Sequence, residues 1–224
     1  MSANDPLDTS AGAAVYSPFV LKLYDAWVLG FSNSCAWRCP TRGVLLPFYR
    51  EHLRQRHLDV GVGTGYYLAH AGFSAEQRIA LLDLNETSLR TAAQRMGRPP
   101  QALYATDVMQ PLTLPDAPVF DSIALFYLLH CLPGSMDEKA RVFAHLKPYL
   151  APDGVLYGAT ILGDAAGHNP LGRRLMEVYN RRGIFGNAGD TLQQLEASLR
   201  QHFAQVSVRQ HGVVALFSAG QPLA

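Results

Sequence analysis

The sequence has little charge of either sign, few cysteines and no long apolar run. Charged residues make up 17% of its 224 positions, with 19 Lys and Arg against 18 Asp and Glu and a formal net charge of +1. Proteins that track phosphate backbones need a basic excess, so nucleic acid is not expected as a partner. Cysteine occurs only as Cys35, Cys39 and Cys131. An odd set in a chain of this size does not build a disulfide framework, and a reducing, cytoplasmic setting fits it. Cys35 and Cys39 have no second Cys pair or close His to complete a zinc set, so no metal is expected. No apolar stretch reaches the roughly 18 to 20 residues that cross a bilayer. The first fifteen residues lack both the basic start and the apolar run of a secretory signal.

What is present is hydrophobic sequence in quantity, 48% of the chain, enough to bury one core. Residues 1–15 are small and polar and read as a frayed tail; residues 16–224 read as one domain. Pro18 opens an apolar pattern over Phe19–Leu29 that suits a helix, with Gly30 ending it. Ser32–Pro40 reads as irregular, and Thr41 is placed to cap a second helix to about Leu53. These segments make residues 16–56 an N-terminal helical cover. From His57 onward, apolar runs at His57–Val62, Arg78–Leu84, Ala102–Val108, Phe120–Leu128 and Gly154–Leu162 alternate with helical patterns at Tyr66–Ala71, Glu86–Met96 and Met136–Leu150. That rhythm is α/β, a parallel sheet with helices on both faces. Pro152-Asp153-Gly154 reads as the turn that feeds the fifth strand. A segment rich in Gly and Arg then covers residues 163–189, with a helix at Leu171–Arg181, and Asp190 or Thr191 can cap a helix to about His202. Gln205–Gln210 and Val213–Ser218, joined at His211-Gly212, read as a closing hairpin and bring the strands to seven.

Leu58-Asp59-Val60-Gly61-Val62-Gly63-Thr64-Gly65-Tyr66 runs a strand straight into three alternating glycines and a helix. Glycines there let the main chain turn sharply and approach a ligand with no Cβ in the way. A dinucleotide fingerprint needs its third glycine one position later, where Tyr66 stands. Asp59 would also share a low-dielectric site with a pyrophosphate, anion against anion; it suits a cationic ligand instead. A bare strand-to-helix turn without a ligand remains the plainer alternative for this loop alone.

Leu-Asp-Val-Gly-Val-Gly-Thr-Gly at 58–65 resembles the signature loop of the class I methyltransferases that use S-adenosylmethionine, and the resemblance extends over nearly the whole chain. It implies a Rossmann-like seven-stranded methyltransferase sheet, mostly parallel with strand 7 antiparallel. Asp83 ends the second strand, where the family meets both ribose hydroxyls, and Asp107 ends the third, where it meets the adenine amino group. Leu84 and Val108 sit beside them. Each Asp taken singly can instead be a helix or turn cap. The Tyr24-Asp25 pair, Trp37-Arg38-Cys39-Pro40 and Phe126–Pro133 are most similar to bacterial and fungal small-molecule methyltransferases of secondary metabolism, relatives of the ubiquinone and menaquinone C-methyltransferases. The cofactor residues implied are Asp59, Gly61, Gly63, Gly65, Asp83, Leu84, Asp107, Val108 and Tyr24. The partner implied is a small organic substrate, with no membrane or nucleic acid and a monomer or homodimer as the assembly.

Methyl transfer from a sulfonium is an in-line displacement that needs positioning first and a base only when the nucleophile arrives protonated. His130, after the fourth strand, is the candidate general base, since an imidazole with an ordinary pKa near ~6.5 takes a proton at neutral pH; packing the loop to Pro133 is a second reading, and the resemblance implies a third, contact with the cofactor's methionine end. Tyr16, Trp37 and His168 are candidate substrate contacts, with Tyr24 and Trp27 in a possible aromatic wall over the sulfonium. Arg38 can pair with the cofactor's carboxylate or lie at the surface. The alternatives to a methyltransferase are a non-methylating enzyme of cyclase type that binds the same cofactor, and an inactive partner subunit.

Overall fold

The computed structural model describes residues 25–223. Seven strands form one sheet in the order β3-β2-β1-β4-β5-β7-β6: β1 (Arg56–Val60), β2 (Arg78–Asp83), β3 (Ala102–Ala105), β4 (Phe120–Phe126), β5 (Leu150–Ile161), β6 (Phe203–His211) and β7 (Val214–Pro222). β1 is parallel to both β2 and β4, while β7 is antiparallel to β5 and β6. The chain therefore leaves β1 in one direction across the sheet and resumes on its other side with β4. The crevice at that reversal, outside the carboxyl ends of the strands, is where open α/β sheets bind ligands.

The central strands are buried along nearly their whole length, as strands covered on both faces are, with His57, Asp59 and Ser122 set among their apolar residues. Leu58 and Val60, Ile123 and Leu125, and Leu156 belong to a core that also takes Val142, Phe143 and Leu146 of α7 (Arg141–Leu146) and Leu195 and Leu199 of α9 (Leu192–Arg200). The opposite face is covered by α1 (Asp25–Ala36), α2 (Thr41–Leu45), α3 (Leu46–His52) and α8 (Pro170–Arg181), whose core includes Trp37, Tyr49, Phe126, Tyr157 and Met176. Each such apolar side chain, when fully buried, contributes about 1.5–3 kcal/mol.

Several helix ends follow local chemistry. α5 (Glu86–Met96) starts at Asn85, whose side chain accepts from the Thr87 and Ser88 amides, and stops at Gly97 in a left-handed conformation. α9 starts in a capping box between Thr191 and Gln194. Three expectations differ. Gly30 does not end the first helix: α1 runs on to Ala36 as a wide, π-type helix. Thr41 is the first residue of α2 and Pro40 holds the N-cap position, while the Thr41 hydroxyl accepts from the buried Asn33 side-chain amide at 2.8 Å. Pro152-Asp153-Gly154 lies inside β5 as a bulge between the Phe120↔Leu150 and Ser122↔Val155 pairs. The tight bend needs Gly154, since a Cβ there would stand 2.9 Å from the Ala151 carbonyl. The expected tail at 1–15 and the start of the cover lie outside the described residues.

Candidate functional site

At the carboxyl edge of the sheet, the backbone after β1 turns through Gly61, Gly63 and Gly65 at φ of +72°, +52° and +71°. Such values are strained for any residue carrying a Cβ. The three glycines do different work. A Cβ on Gly65 would stand 2.6 Å from the Ala92 Cα, so this glycine lets α4 (Tyr66–His70) pack against α5, and one on Gly61 would strike Leu128 at 2.8 Å. Gly63 has nothing within 4 Å of that position. Its main chain faces open space, the condition for a ligand to approach it closely.

Two clefts meet over Gly61, Gly63 and Tyr127. The first is lined by Val60, Asp83, Leu84, Thr106, Asp107, Val108, Leu128, Cys131 and Leu132 as well. The second is lined by Asp59, Thr64, Gly65, Tyr66, Tyr67 and Phe126 among others. The sheet order thus brings Asp59, Asp83, Leu84, Asp107 and Val108 together around the glycine loop.

Asp83 accepts from the Asn85 amide at 2.8 Å through Oδ1 and from the Gly63 amide at 3.4 Å through Oδ2. It caps a turn, but the helix cap is Asn85. Burial pushes its pKa up to about 6, with the amides pulling the other way and the Asp59 charge adding to the rise. Asp107 lies two residues beyond β3, in a turn where Oδ1 accepts from the Met109 amide at 2.9 Å. Leu84 lines the first cleft and is 41% exposed. Asp59 is buried, and its Oδ2 accepts from the Tyr49 hydroxyl at 2.6 Å.

The substrate-side and catalytic expectations fare differently. His130 lies in a short 3-10 turn (Leu129–Cys131) and is 2% exposed. The Ile161 amide donates to its Nδ1 at 3.3 Å, so the proton of the neutral ring sits on Nε2. Burial, with the nearby Lys139 charge, drives its pKa down to about 3. It lines neither cleft and packs edge-on to Phe185. His130 is therefore a packing residue, and its expected role as general base is corrected. His168 is buried too; its Nε2 lies 3.0 Å from the Leu162 and Gly163 carbonyls, which makes it a pin for the segment after β5 and not a substrate contact. Trp37 is corrected likewise: 1% exposed, it packs against His168 and Phe185 in the core. Arg38 donates to the Gly167 carbonyl at 2.7 Å. Tyr16 and Tyr24 lie outside the described residues, as does the side chain of Trp27. Among the described residues, no group of three or more His, Cys, Asp and Glu is placed to hold a metal. No helix among them is long and apolar enough to cross a membrane.

Sequence reasoning missed Tyr66, Tyr67 and Tyr127 at the clefts. Tyr127 has φ +60°, unusual for a bulky aromatic and of the kind that clusters at functional sites. Its position directly after an apolar strand, at the edge where ligands bind, was the available signal.

The polar groups around the clefts distinguish between ligands. Three carboxylates and a main-chain loop in open space do not fit a pyrophosphate; they fit a nucleoside that offers hydroxyls and amines and carries positive charge, as S-adenosylmethionine does.

A family model described as a methyltransferase domain matches residues 58–156. The "Physcion biosynthesis cluster O-methyltransferase" of Aspergillus chevalieri is 41% identical over 214 residues, covering 96% of this chain and 96% of that protein. The "N-methyltransferase vrtF" of Penicillium aethiopicum is 40% identical over 194 residues, 83% of this chain and 78% of that protein. The crystal structure of N-methyltransferase NodS from Bradyrhizobium japonicum WM9, in complex with S-adenosyl-L-homocysteine, superposes with a TM-score of 0.60 at 18% identity over 91% of this chain and 97% of that one. With the sheet order, the glycine loop and these relatives in agreement, the chain belongs to the class I S-adenosylmethionine-dependent methyltransferases.

Proposed function

We propose that the chain methylates an oxygen or nitrogen of a small, largely apolar organic molecule, holding its cofactor across the carboxyl ends of β1, β2 and β3. The observation that carries this reading is Gly63, whose positive φ and empty flank stand beside the Asp83 carboxylate at the meeting of the two clefts. The cofactor supplies, when bound, a methyl group on a positively charged sulfur.

The residues divide that task. Asp83 accepts from ribose hydroxyls with the lone pairs its main-chain amide partners leave open. Asp107 accepts from the adenine amino group, and Leu84 and Val108 offer apolar faces to the ring. Asp59, in the second cleft among Tyr66 and Tyr67, attracts the cationic amino-acid end; a carboxylate and aromatic faces both favour a cation there. Tyr127, Leu128, Cys131 and Leu132 exclude water along the wall that the substrate approaches. Excluding water favours a step in which charge on sulfur is dispersed. The cation-poor lining of the described clefts and the fungal relatives named for O- and N-methylation support a neutral or weakly basic acceptor. No imidazole lines the described clefts, so an acceptor whose lone pair is free at neutral pH, such as a weakly basic aromatic amine, fits best.

The test is incubation of the purified protein with S-adenosylmethionine labelled in its methyl group and a panel of phenols and amines, with products read by mass spectrometry. Labelled O- or N-methyl product is expected. Tight binding of the cofactor with no methyl product from any acceptor would overturn the reading in favour of a cyclase-type enzyme or an inactive subunit.

A further inference from the structure

Behind the second cleft runs a polar thread that methyl transfer as described does not use. The Arg54 amide donates to the Ser122 hydroxyl oxygen at 3.0 Å. Ser122 Oγ lies 2.9 Å from His57 Nδ1, His57 Nε2 lies 3.0 Å from the Tyr49 hydroxyl, and that hydroxyl lies 2.6 Å from Asp59 Oδ2. His57, Ser122 and Tyr49 are each 0% exposed.

The proton positions follow from the chemistry of the ends. A carboxylate cannot donate, so the single Tyr49 proton goes to Asp59. His57 must then donate from Nε2 to the Tyr49 oxygen, which leaves Nδ1 to accept from Ser122, and Ser122 to accept from Arg54. Every link has one direction, and all of them end on one oxygen of one carboxylate. Burial and the Asp59 charge also hold the Tyr49 phenol well above its ordinary pKa, so it stays a donor. Oδ2 is engaged from behind, while Asp59 itself is among the residues that line the second cleft.

We propose that Tyr49 and His57 are positioning residues that fix the Asp59 carboxylate so that Oδ1 receives the α-ammonium of the cofactor. This rests on the cofactor placement above. An ammonium has three N–H donors and a sulfonium has none, so a carboxylate held for hydrogen bonding selects the ammonium. A carboxylate free to rotate would have to be ordered at each binding event; this one is ordered in advance. The plainer role for such a thread is holding α3 against β1 and β4, and the experiment separates the two.

Isothermal titration of the full chain uses two ligands, S-adenosylhomocysteine and 5′-methylthioadenosine, which share the adenosine and the thioether while only the first carries the amino-acid end. For Tyr49→Phe, affinity for S-adenosylhomocysteine is expected to fall about tenfold while that for 5′-methylthioadenosine stays within about twofold. Ser122→Ala, a gentler change at the far end of the thread, is expected to show a smaller loss with the same selectivity, and it carries the test if Tyr49→Phe does not fold. Equal losses for both ligands would assign the thread to the fold alone, and no loss for either would remove it from binding altogether; each result overturns the proposal. Failure of the unmodified protein to bind either ligand would instead sink the cofactor placement beneath it.

Discussion

The carboxyl edge of β1–β3 and the joint between α6 (Met136–Lys139) and the segment after β5 both bury aspartates, yet they use them in opposite ways. At the joint, Lys139 donates to Asp190 Oδ2 at 2.6 Å and to the Gly186 carbonyl at 2.8 Å, and the two side chains are 0% and 3% exposed. The charge is answered inside the protein. Burial lowers the Lys139 pKa and raises that of Asp190, and each partner's charge opposes the shift of the other. At the edge, Asp83 has only main-chain amides for partners and faces a cleft, so burial wins and its pKa rises to about 6. The first carboxylate is balanced by a cation inside the fold, whereas Asp83 has main-chain amide partners and lines a cleft.

The largest test of that contrast is Lys139→Met. Removing the cation leaves Asp190 buried and unpaired, which should cost about 3–5 kcal/mol in urea or thermal unfolding. A double change of Lys139→Met with Asp190→Leu should recover most of the loss, because no charge is then stranded. A double variant as unstable as the single one would show that the joint depends on something other than the pair.

Next in size is the pH response of Asp83. Its folded pKa, about 6, lies above its unfolded value, so the native state binds the extra proton. The contribution of this group to stability is therefore present below pH ~4 and is lost as pH rises to about 6, in total about 2 to 3 kcal/mol without ligand. Ligand binding runs the other way: the ionised carboxylate is the better acceptor for ribose hydroxyls, so affinity for S-adenosylhomocysteine should climb as pH rises through about 6. Asp83→Asn should flatten both curves and weaken binding roughly 100-fold at pH 8. An unchanged affinity in the variant would remove Asp83 from the site.

The smallest expected effect is His130→Leu, which strips the Ile161 amide of its acceptor and should cost about 1–2 kcal/mol. The folded pKa of His130, about 3, lies below its unfolded value, so its stabilising contribution is present above pH ~6.5 and fades as pH falls toward 3. Methyl transfer should show no inflection near pH 6.5 that this residue governs. An inflection there that vanished in the variant would restore His130 as a base.

The succession of strands along the chain and the glycine loop were legible because their signals are local. Alternating apolar runs specify a covered sheet, and Gly61, Gly63 and Gly65 mark a backbone path that other residues resist. Strand ends were less legible: the third apolar run extended to Val108, while β3 stops at Ala105 and Asp107 lies in a turn. The histidines misled. His130 follows β4 at the edge where ligands bind, but direction along the chain does not say which way a side chain points, and this one turns into the core toward Thr160 and Ile161. Trp37 and His168 were placed near the substrate by their loops, and both are buried instead, edge to face against each other, with Trp37 also against Phe185.

The sequence by itself determined which residues build a covered parallel sheet and where a bare main chain turns at its edge, since periodicity and glycine geometry depend only on near neighbours. Tertiary structure alone decided which polar side chains reach the cleft and which are spent inside. That choice turns on partners distant in sequence, as Lys139 finds Asp190 and as Tyr49 finds Asp59 through a thread that begins at Ser122, and on the burial those partners impose.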